Sequence, residues 1–376
     1  MSITKILLTG GGTGGSVSPL LAIAEELEKK DPGGFEFFWR GTRTGPEKTM
    51  VEKEGIKYKS ISSGKLRRYF SLKNFFDPLF IGIGFLQSLF FILKWKPDLI
   101  MSAGGFVSVP VIWAGWLLRK KILIHQQDLR PGLANKLMSP FATKITVTFE
   151  ESLKDYGKKA VWVGNPVRHN VILRPKAEGS RAITTDPRDS SSALGGFRMT
   201  GGCDLPLVLV AGGGTGAEAI NKLVWGSLSA LTKFCQIVHV TGKGKNFNHE
   251  SKENYQVLEF LDHGNLMAIM EKADLIISRA GMNFLTEISF LGKPAILIPM
   301  PNSHQEDNAR VFGDKEAAVV LEQKELTPDK FMSKIKELLA DKDRRDKLGE
   351  NAGKVMKKGA NEEIAKIIQT VIASPA

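Results

Sequence analysis

Hydrophobic residues along the chain form short continuous runs, and longer segments with apolar residues at helical spacing separate these runs. Short apolar runs of this kind are typical of parallel strands that are covered on both faces. The strands predicted from them are residues 6–8, 35–39, 99–102, 122–125, 144–149 and 161–163 in the first half, and 207–210, 236–240, 256–260, 275–278 and 295–299 in the second. The alternation predicts an α/β protein with doubly wound parallel sheets.

The sequence Gly-Gly-Gly-Thr-Gly occurs twice, at residues 10–14 and 212–216, each time between a predicted strand and a predicted helix. This repeat predicts two Rossmann-like domains in tandem around a cleft. The predicted boundaries are 1–174 for the first domain, 175–206 for a flexible linker rich in Ser, Gly, Thr and Asp, 207–350 for the second domain, and 351–376 for a C-terminal helix that packs back on the first domain.

The chain of 376 residues carries a net charge of +12, which favours an anionic partner. Its basic residues are dispersed without a recognition motif, so no nucleic-acid partner is predicted. Two cysteines are too few for a disulfide framework and fit a reducing compartment. No metal site is predicted either, because the six histidines are scattered and the only Asp-x-Asp sequence, at 341–343, lies in a charged helical run.

The two glycine loops predict binding of a phosphate group, because glycine lets the backbone approach a phosphate at the start of a helix. The first loop also matches the dinucleotide-binding pattern, but the strand 35–39 is followed by Arg40 where an NAD-binding protein needs an acidic residue. An NADP-dependent oxidoreductase therefore stays as an alternative at this point.

The segment that follows residue 64 combines basic and aromatic residues with a long apolar run. The run at 79–93 is shorter than the about 20 residues that span a membrane, and it fits either a buried core helix or a membrane-facing one. The basic and aromatic residues favour peripheral binding to anionic lipid headgroups. The residues predicted to contact the membrane are Lys65, Arg67, Arg68, Phe75 and Phe76.

Several motifs occur in an order and spacing that together resemble the MurG family, the N-acetylglucosaminyltransferases that convert lipid I to lipid II in peptidoglycan synthesis. The matching segments are residues 11–15 with Pro19, 104–108, 125–128, 164–168, 212–216, 241–244, 278–281 with Glu287, and 304–305 with 308–309. They extend over nearly the whole chain, from Ile6 to about Phe312.

The resemblance implies a glycosyltransferase of the two-domain GT-B architecture that needs no metal and no cofactor. Its substrates would be UDP-N-acetylglucosamine and undecaprenyl-linked lipid I, and transfer to the C4 hydroxyl of the acceptor sugar would invert the anomeric centre. The enzyme would act in cell wall biogenesis, and hence in cell shape and division, as a peripheral protein on the cytoplasmic face of the cell membrane.

The resemblance also assigns substrate-binding roles to residues in both domains. Glu287 would accept hydrogen bonds from the donor ribose, Leu261 would line the uracil pocket, and His304 and Gln305 would bind the donor sugar. The remaining donor residues would be Gly214, Met282, Asn283, Phe284, Leu285 and Thr286. Those of the first domain would be Thr13, Gly14, Gly15, Asp128 and Arg168.

The sequence departs from the family pattern at two positions that bear on catalysis. Ser16 stands where the family's first loop usually ends in His, and the motif His-Glu-Gln-Asn is His125-Gln126-Gln127-Asp128 in this chain. A serine hydroxyl is no general base at neutral pH. We therefore predict that Asp128 removes the acceptor proton or orients the acceptor, with Ser16 as the other candidate catalytic residue. A non-catalytic, membrane-associated UDP-sugar binder is a further alternative.

Overall fold

A computed structural model of the chain describes residues 3–12, 14–64, 73–168, 205–213, 216–245 and 250–374, with only the backbone of residues 73–76. The described residues form two compact units, Met1–His169 with Lys357–Ala376, and Asn170–Met356. Some predictions lie outside the described residues. These are Thr13, Lys65, Arg67, Arg68, Gly214, the linker as far as residue 204, and the side chains of Phe75 and Phe76.

The first unit contains a parallel sheet of seven strands in the order β3-β2-β1-β4-β5-β6-β7. The strands are β1 (Thr4–Thr9), β2 (Phe35–Gly41), β3 (Lys57–Ser60), β4 (Leu99–Ser102), β5 (Lys121–Gln126), β6 (Lys144–Val147) and β7 (Ala160–Trp162). In the centre of the sheet, Leu8 of β1 is in register with Trp39 of β2 and Met101 of β4. The strand order reverses direction beside β1, so the loops after β1 and β4 leave the sheet next to each other.

Helices cover both faces of this sheet. They are α1 (Ser18–Lys30), α2 (Glu47–Lys53), α3 (Lys73–Trp95), α4 (Ser108–Leu117) and α5 (Leu133–Met138), together with the C-terminal helix α12 (Ala360–Ala373). Leu20 and Leu27 of α1 pack with Ile364 and Ile368 of α12 in one core cluster. Side chains of α3, α4 and α5 form a second core cluster around Leu7. Successive residues of β1 thus enter opposite cores, as alternation along a strand requires.

The second unit repeats the design with a parallel sheet of six strands in the order β10-β9-β8-β11-β12-β13. Its strands are β8 (Leu207–Ala211), β9 (Gln236–Val240), β10 (Tyr255–Leu258), β11 (Leu275–Ser278), β12 (Ala295–Leu297) and β13 (Val319–Val320). Its helices are α6 (Glu218–Leu231), α7 (His263–Lys272), α8 (Met282–Leu291), α9 (His304–Asp314), α10 (Pro328–Ala340) and α11 (Lys342–Val355). The predicted fold class, with two doubly wound parallel sheets, is confirmed.

The strand predictions differ from the structure at two edge strands and at the ends of other strands. The edge strands β3 and β13 were not predicted, because β3 is largely exposed and polar and β13 has only two residues. The strands predicted at 144–149 and 256–260 end earlier, at Val147 and Leu258. Neither β3 nor β13 contains the continuous apolar run of several residues on which the prediction depends.

The first unit consists of two chain segments, and residues 164–167 of the first segment bind residues 357–361 of the second. The amide of Val167 donates to Asn361 Oδ1 over 2.9 Å, and Asn361 Nδ2 donates to the Val167 carbonyl over 2.7 Å. Gly164 has φ +86°, and a Cβ there would overlap the carbonyl oxygen of Lys357. Only glycine satisfies both conditions.

Helix α3 exposes an apolar stripe, which we define as Leu79, Phe80, Ile83, Leu86, Phe90 and Leu93. These side chains are 39–69% exposed, whereas Asp77, Ser88 and Ile92 on the other side of the helix are buried. The segment Asp77–Trp95 has the length and composition of a membrane-spanning helix, and only 17% of its apolar window is buried in the unit, whereas a core helix would be mostly buried. The interpretation of residues 79–93 as a buried core helix is therefore wrong for the face that carries the stripe.

Candidate active site

The predicted donor residues lie on segments that follow the strands of the second sheet. Leu261 follows β10, the segment Met282–Leu291 follows β11, and His304 and Gln305 begin the helix that follows β12. Because all strands of this sheet are parallel, their carboxyl ends meet at one edge, and this edge is the usual ligand site of a doubly wound sheet.

The start of α8 offers uncapped backbone amides. Gly281 precedes the helix in an extended conformation, and within the described residues no side chain caps it. Met282, Phe284 and Leu285 are buried in the unit, and Asn283 is half-buried. The hydroxyl of Thr286 donates to the carbonyl of Met282 over 2.6 Å. A ligand can therefore meet the first-turn amides and Asn283, while the apolar side chains hold the helix in the core.

Glu287 is a buried carboxylate on the same helix, 7% exposed. Its Oε1 lies 3.4 Å from Nδ1 of His263 at the start of α7. Its buried Oε2 has no hydrogen-bonding partner in the described part of the chain. Burial raises the pKa of Glu287 to about 8 because desolvation disfavours the charged form. A buried carboxyl oxygen without a partner is costly, and hydroxyl groups of a ligand would satisfy it.

His304 and Gln305 form the first turn of α9. The hydroxyl of Ser303 caps this turn by accepting from the amide of Gln305 over 3.2 Å. The side-chain oxygen of Gln305 accepts from the amide of Met300 over 3.1 Å, which ties the preceding loop to the helix. His304 is exposed and Gln305 is half-buried. Both are accessible to a ligand.

The second glycine loop rests on the residues that follow β9. Gly216 has φ +71°, and a Cβ there would overlap the carbonyl oxygen of Thr241. That carbonyl also accepts from Nδ2 of Asn221 over 3.0 Å, and Asn221 Oδ1 lies 3.0 Å from Nε2 of the buried His239. Leu261, after β10, is 8% exposed. The polar network thus holds the Thr241 carbonyl against Gly216, the last residue of the loop, and sequence reasoning did not find it.

In the first unit, a buried carboxylate contacts the first glycine loop. Glu47 Oε2 accepts from the amide of Gly12 over 3.2 Å, and Oε1 accepts from the amide of Thr42 over 2.7 Å. Tyr58 lies 3.5 Å from the same Oε1. One amide of the loop is therefore occupied by the protein itself. Glu47 was missed because a single glutamate at the start of a short helix has no distinctive sequence pattern.

The loop that carries Asp128 is held in place by Gln126. Nε2 of Gln126 donates to the carbonyls of Asp128 and Arg130 over 2.7 and 3.2 Å. Oε1 of Gln126 accepts from Asn135 over 2.5 Å and from the hydroxyl of Tyr156 over 2.9 Å. A glutamate at 126 would have no hydrogen to donate to the two carbonyls. Gln126 thus positions the half-buried Asp128.

Ser16 and His125 are both buried. Ser16 follows the half-buried Gly14 and Gly15 in a single 3₁₀ turn, and its hydroxyl has no hydrogen-bonding partner among the described residues. His125 lies between Thr146 Oγ1 at 3.0 Å and Asn165 Oδ1 at 2.8 Å. Burial lowers the pKa of His125 to about 4, partly offset by the hydrogen bond that Nε2 of His125 donates to Asn165 Oδ1. His125 is therefore neutral at physiological pH and stabilises the unit.

Arg168 is engaged in ion pairs near the end of the first unit. Its NH2 lies 2.7 Å from Glu25 Oε1 and 2.5 Å from Glu54 Oε1. Glu25 belongs to α1, and Glu54 directly follows α2. These carboxylates raise the pKa of Arg168 against the opposing effect of its burial. The structure thus places the guanidinium against α1 and α2.

Comparison with known proteins covers both units. The model of the glycosyltransferase family 28 N-terminal domain matches residues 6–147, and the model of the family 28 C-terminal domain matches residues 207–370. A UDP-N-acetylglucosamine–N-acetylmuramyl-(pentapeptide) pyrophosphoryl-undecaprenol N-acetylglucosamine transferase of Bacillus cereus is 41% identical over 340 residues, 89% of this chain and 91% of that one. The Clostridium kluyveri transferase of the same name is 39% identical over 341 residues, with the same two coverages. The chain belongs to the MurG family.

Solved structures agree with this assignment at the level of the fold. Acinetobacter baumannii MurG superposes with a TM-score of 0.71 at 22% identity, over 98% of this chain and 99% of that one. A UDP-GlcNAc 2-epimerase from Neisseria meningitidis, solved with UDP-GlcNAc bound, has the same TM-score at 13% identity, over 98% and 100%. The protein is a glycosyltransferase with the GT-B architecture that the sequence predicted.

Membership of the MurG family removes the NADP-dependent alternative, and the structure supplies the physical reason. Arg40 is 3% exposed, and its guanidinium lies 4.8 Å from the ring centroid of Phe91. Burial lowers its pKa to about 10. A side chain enclosed in this way is not accessible to a ribose phosphate. Across the described ranges, no group of three or more His, Cys, Asp or Glu residues is arranged to hold a metal ion.

Proposed function

We propose that this member of the MurG family transfers N-acetylglucosamine from UDP-N-acetylglucosamine to the C4 hydroxyl of the N-acetylmuramyl group of lipid I, with inversion, to give lipid II. The support is the 41% identity over 89% of the chain to a transferase of that name, together with a buried carboxyl group beside an uncapped helix start.

In this proposal, the second unit binds the donor. The free Oε2 of Glu287 accepts from the ribose hydroxyls, and the first-turn amides of α8 bind the diphosphate. Leu261 lines the uracil pocket. His304 and Gln305 bind the sugar hydroxyls. Gly214, which the structure does not describe, approaches the diphosphate from the second glycine loop.

The first unit then binds the acceptor and carries the proton transfer. Asp128 accepts the proton of the attacking hydroxyl, or orients that hydroxyl, while Gln126 keeps the loop in place. Gly14 and Gly15, with Thr13, approach the reacting groups. Arg168 helps to bind the diphosphate: its guanidinium exchanges one of its two carboxylate partners for a phosphate oxygen. The buried Ser16 hydroxyl is no base, so its role is limited to hydrogen bonding.

The apolar stripe on α3 gives the enzyme access to a lipid-linked acceptor. Its six exposed side chains are continuous along the helix and follow the basic and aromatic segment that includes Lys65, Arg67 and Arg68. Exposed apolar patches next to basic residues are typical of proteins that bind anionic membrane surfaces. We infer that the protein is peripheral, on the cytoplasmic face of the membrane where its substrates meet.

The decisive experiment is transfer of labelled N-acetylglucosamine from UDP-N-acetylglucosamine to a lipid I analogue, with EDTA present. We expect a product of the mass of lipid II. Binding of the donor without transfer would overturn the proposal in favour of a non-catalytic UDP-sugar binder. In parallel, the protein is titrated with UDP and, separately, with NADP. UDP should quench its tryptophan fluorescence and NADP should not.

A further inference from the structure

His263 lies beside Glu287 in an arrangement that the donor site itself does not require. It is the first residue of α7, its side chain is 29% exposed, and its Nδ1 is 3.4 Å from Glu287 Oε1. The Glu287 side chain is 10% exposed, so the imidazole is the more accessible member of the pair. The two groups can exchange a proton directly, while the other oxygen of Glu287 faces no protein partner among the described residues.

We propose that His263 is a positioning residue that takes the proton of Glu287 when a nucleoside diphosphate binds. Before binding, the pair holds one proton on Glu287 Oε1, and Nδ1 of His263 accepts it as a hydrogen bond. When the ribose hydroxyls donate to Glu287, the O–H bond breaks and an N–H bond forms at Nδ1. The result is a carboxylate beside an imidazolium, with no proton lost to solvent. This inference rests on the proposed binding of ribose by Glu287.

The physical reason is the cost of a buried charge. A carboxyl group accepts two hydrogen bonds from a diol best when it is ionised, yet burial raises the pKa of Glu287 to about 8. Without a neighbouring base, the group would have to release its proton to water at pH 7 before it could bind as a carboxylate. Each unit by which the pKa of the carboxyl group exceeds the pH of the solution corresponds to about a tenfold loss of affinity. His263 removes this loss because the proton stays within the pair.

Charged groups on the neighbouring elements have partners of their own. Asp262, next to His263, caps α7 by accepting from the amide of Asn265 over 2.9 Å, and its Oδ2 accepts from the side chain of Asn265 over 2.6 Å. Helix α11 packs against α8, and its Glu350 forms an exposed ion pair with Lys354 over 2.5 Å. Glu287 is the only charged residue in α8. His263, at 3.4 Å, is the basic side chain in contact with Glu287.

Calorimetric titration with UDP in two buffers of different ionisation enthalpy counts the protons released on binding. At pH 7, His263→Ala should release close to one proton more than the wild type and bind UDP about tenfold more weakly. The affinity should recover by pH 9, because Glu287 is then ionised before UDP arrives. His263→Gln, which keeps a polar side chain but cannot take a proton, should behave like His263→Ala.

Asn265→Ala is the matched control, because it changes the same helix turn by removing a hydrogen bond to Asp262 and keeps both His263 and Glu287. It should leave the proton count unchanged. Equal proton counts in the wild type and both His263 variants would overturn the inference. Glu287→Gln separates it from the proposed function: if this variant binds UDP as tightly as the wild type, Glu287 does not bind the ribose at all.

Discussion

Replacement of Phe90 by aspartate should detach the protein from membranes while leaving its fold intact. Phe90 is the most exposed side chain of the apolar stripe on α3, at 69%, so the substitution removes few contacts within the unit. Full burial of a phenylalanine side chain is worth up to about 3 kcal/mol, so insertion of the exposed part of Phe90 contributes about 2 kcal/mol. This corresponds to about a 30-fold lower partition coefficient.

On the same scale the whole stripe can contribute up to about 9 kcal/mol, so α3 is expected to be the main apolar contact with the lipid. The assay is sedimentation with vesicles of neutral lipid, alone or mixed with anionic lipid, at low and high salt. The wild type should bind the anionic vesicles and lose part of this binding in salt, because the basic segment before α3 contributes electrostatic attraction.

Phe290→Asp on α8 serves as the control, because Phe290 is a partly exposed phenylalanine of the other unit, at 37%. It should bind vesicles like the wild type. The reasoning is refuted if Phe90→Asp binds as tightly as the wild type. It is refuted equally by absent binding to anionic vesicles, or by binding to neutral vesicles that salt does not change. A thermal melt confirms that both variants are folded.

Three further predictions concern stability and turnover. Gly164→Ala should lower the free energy of unfolding, measured by urea denaturation, by about 3 kcal/mol, because the new side chain has a strained φ and overlaps Lys357. Gly157→Ala is the control, because Gly157 has φ +57° but open space around it, and it should lower the free energy of unfolding by about 1 kcal/mol. Similar losses in both variants would contradict the overlap. Between pH 5 and 8 the wild type should lose about 3 kcal/mol of stability relative to Glu287→Gln. A carboxyl group with a raised pKa stabilises the fold fully below its unfolded pKa, and this stabilisation is lost as the pH rises through about 8. Parallel profiles of stability against pH for the two proteins would count against the buried carboxyl group. Asp128→Asn should reduce turnover at least about a hundredfold with little change in the KM for UDP-N-acetylglucosamine, and undiminished turnover with an intact fold would exclude Asp128 from proton transfer.

Much of the architecture was predictable because parallel strands buried on both faces need continuous apolar runs. The runs at 99–102, 236–240 and 275–278 mark strands with the same bounds in the structure. The repeated glycine loop indicated two similar units, and the motif order indicated the MurG family. The edge strand β3 was not predictable, since it is held by backbone hydrogen bonds that its exposed, polar side chains do not reveal.

The site was predictable in position but not in its internal contacts. Glu287 could be identified from its motif, yet its unsatisfied oxygen and its contact with His263 arise from the packing of α7 against α8. The ion pairs of Arg168 with Glu25 and Glu54 join residues more than 100 positions apart. No local pattern encodes such contacts.

The sequence by itself determined the two doubly wound units, the family and the candidate residues, because strand periodicity, glycine loops and motif spacing are local properties. Tertiary structure decided which of those residues are available for chemistry. It enclosed His125 and Ser16, and it opened one face of α3 to solvent. Burial and desolvation set accessibility and pKa, and both depend on which distant side chains the fold brings together.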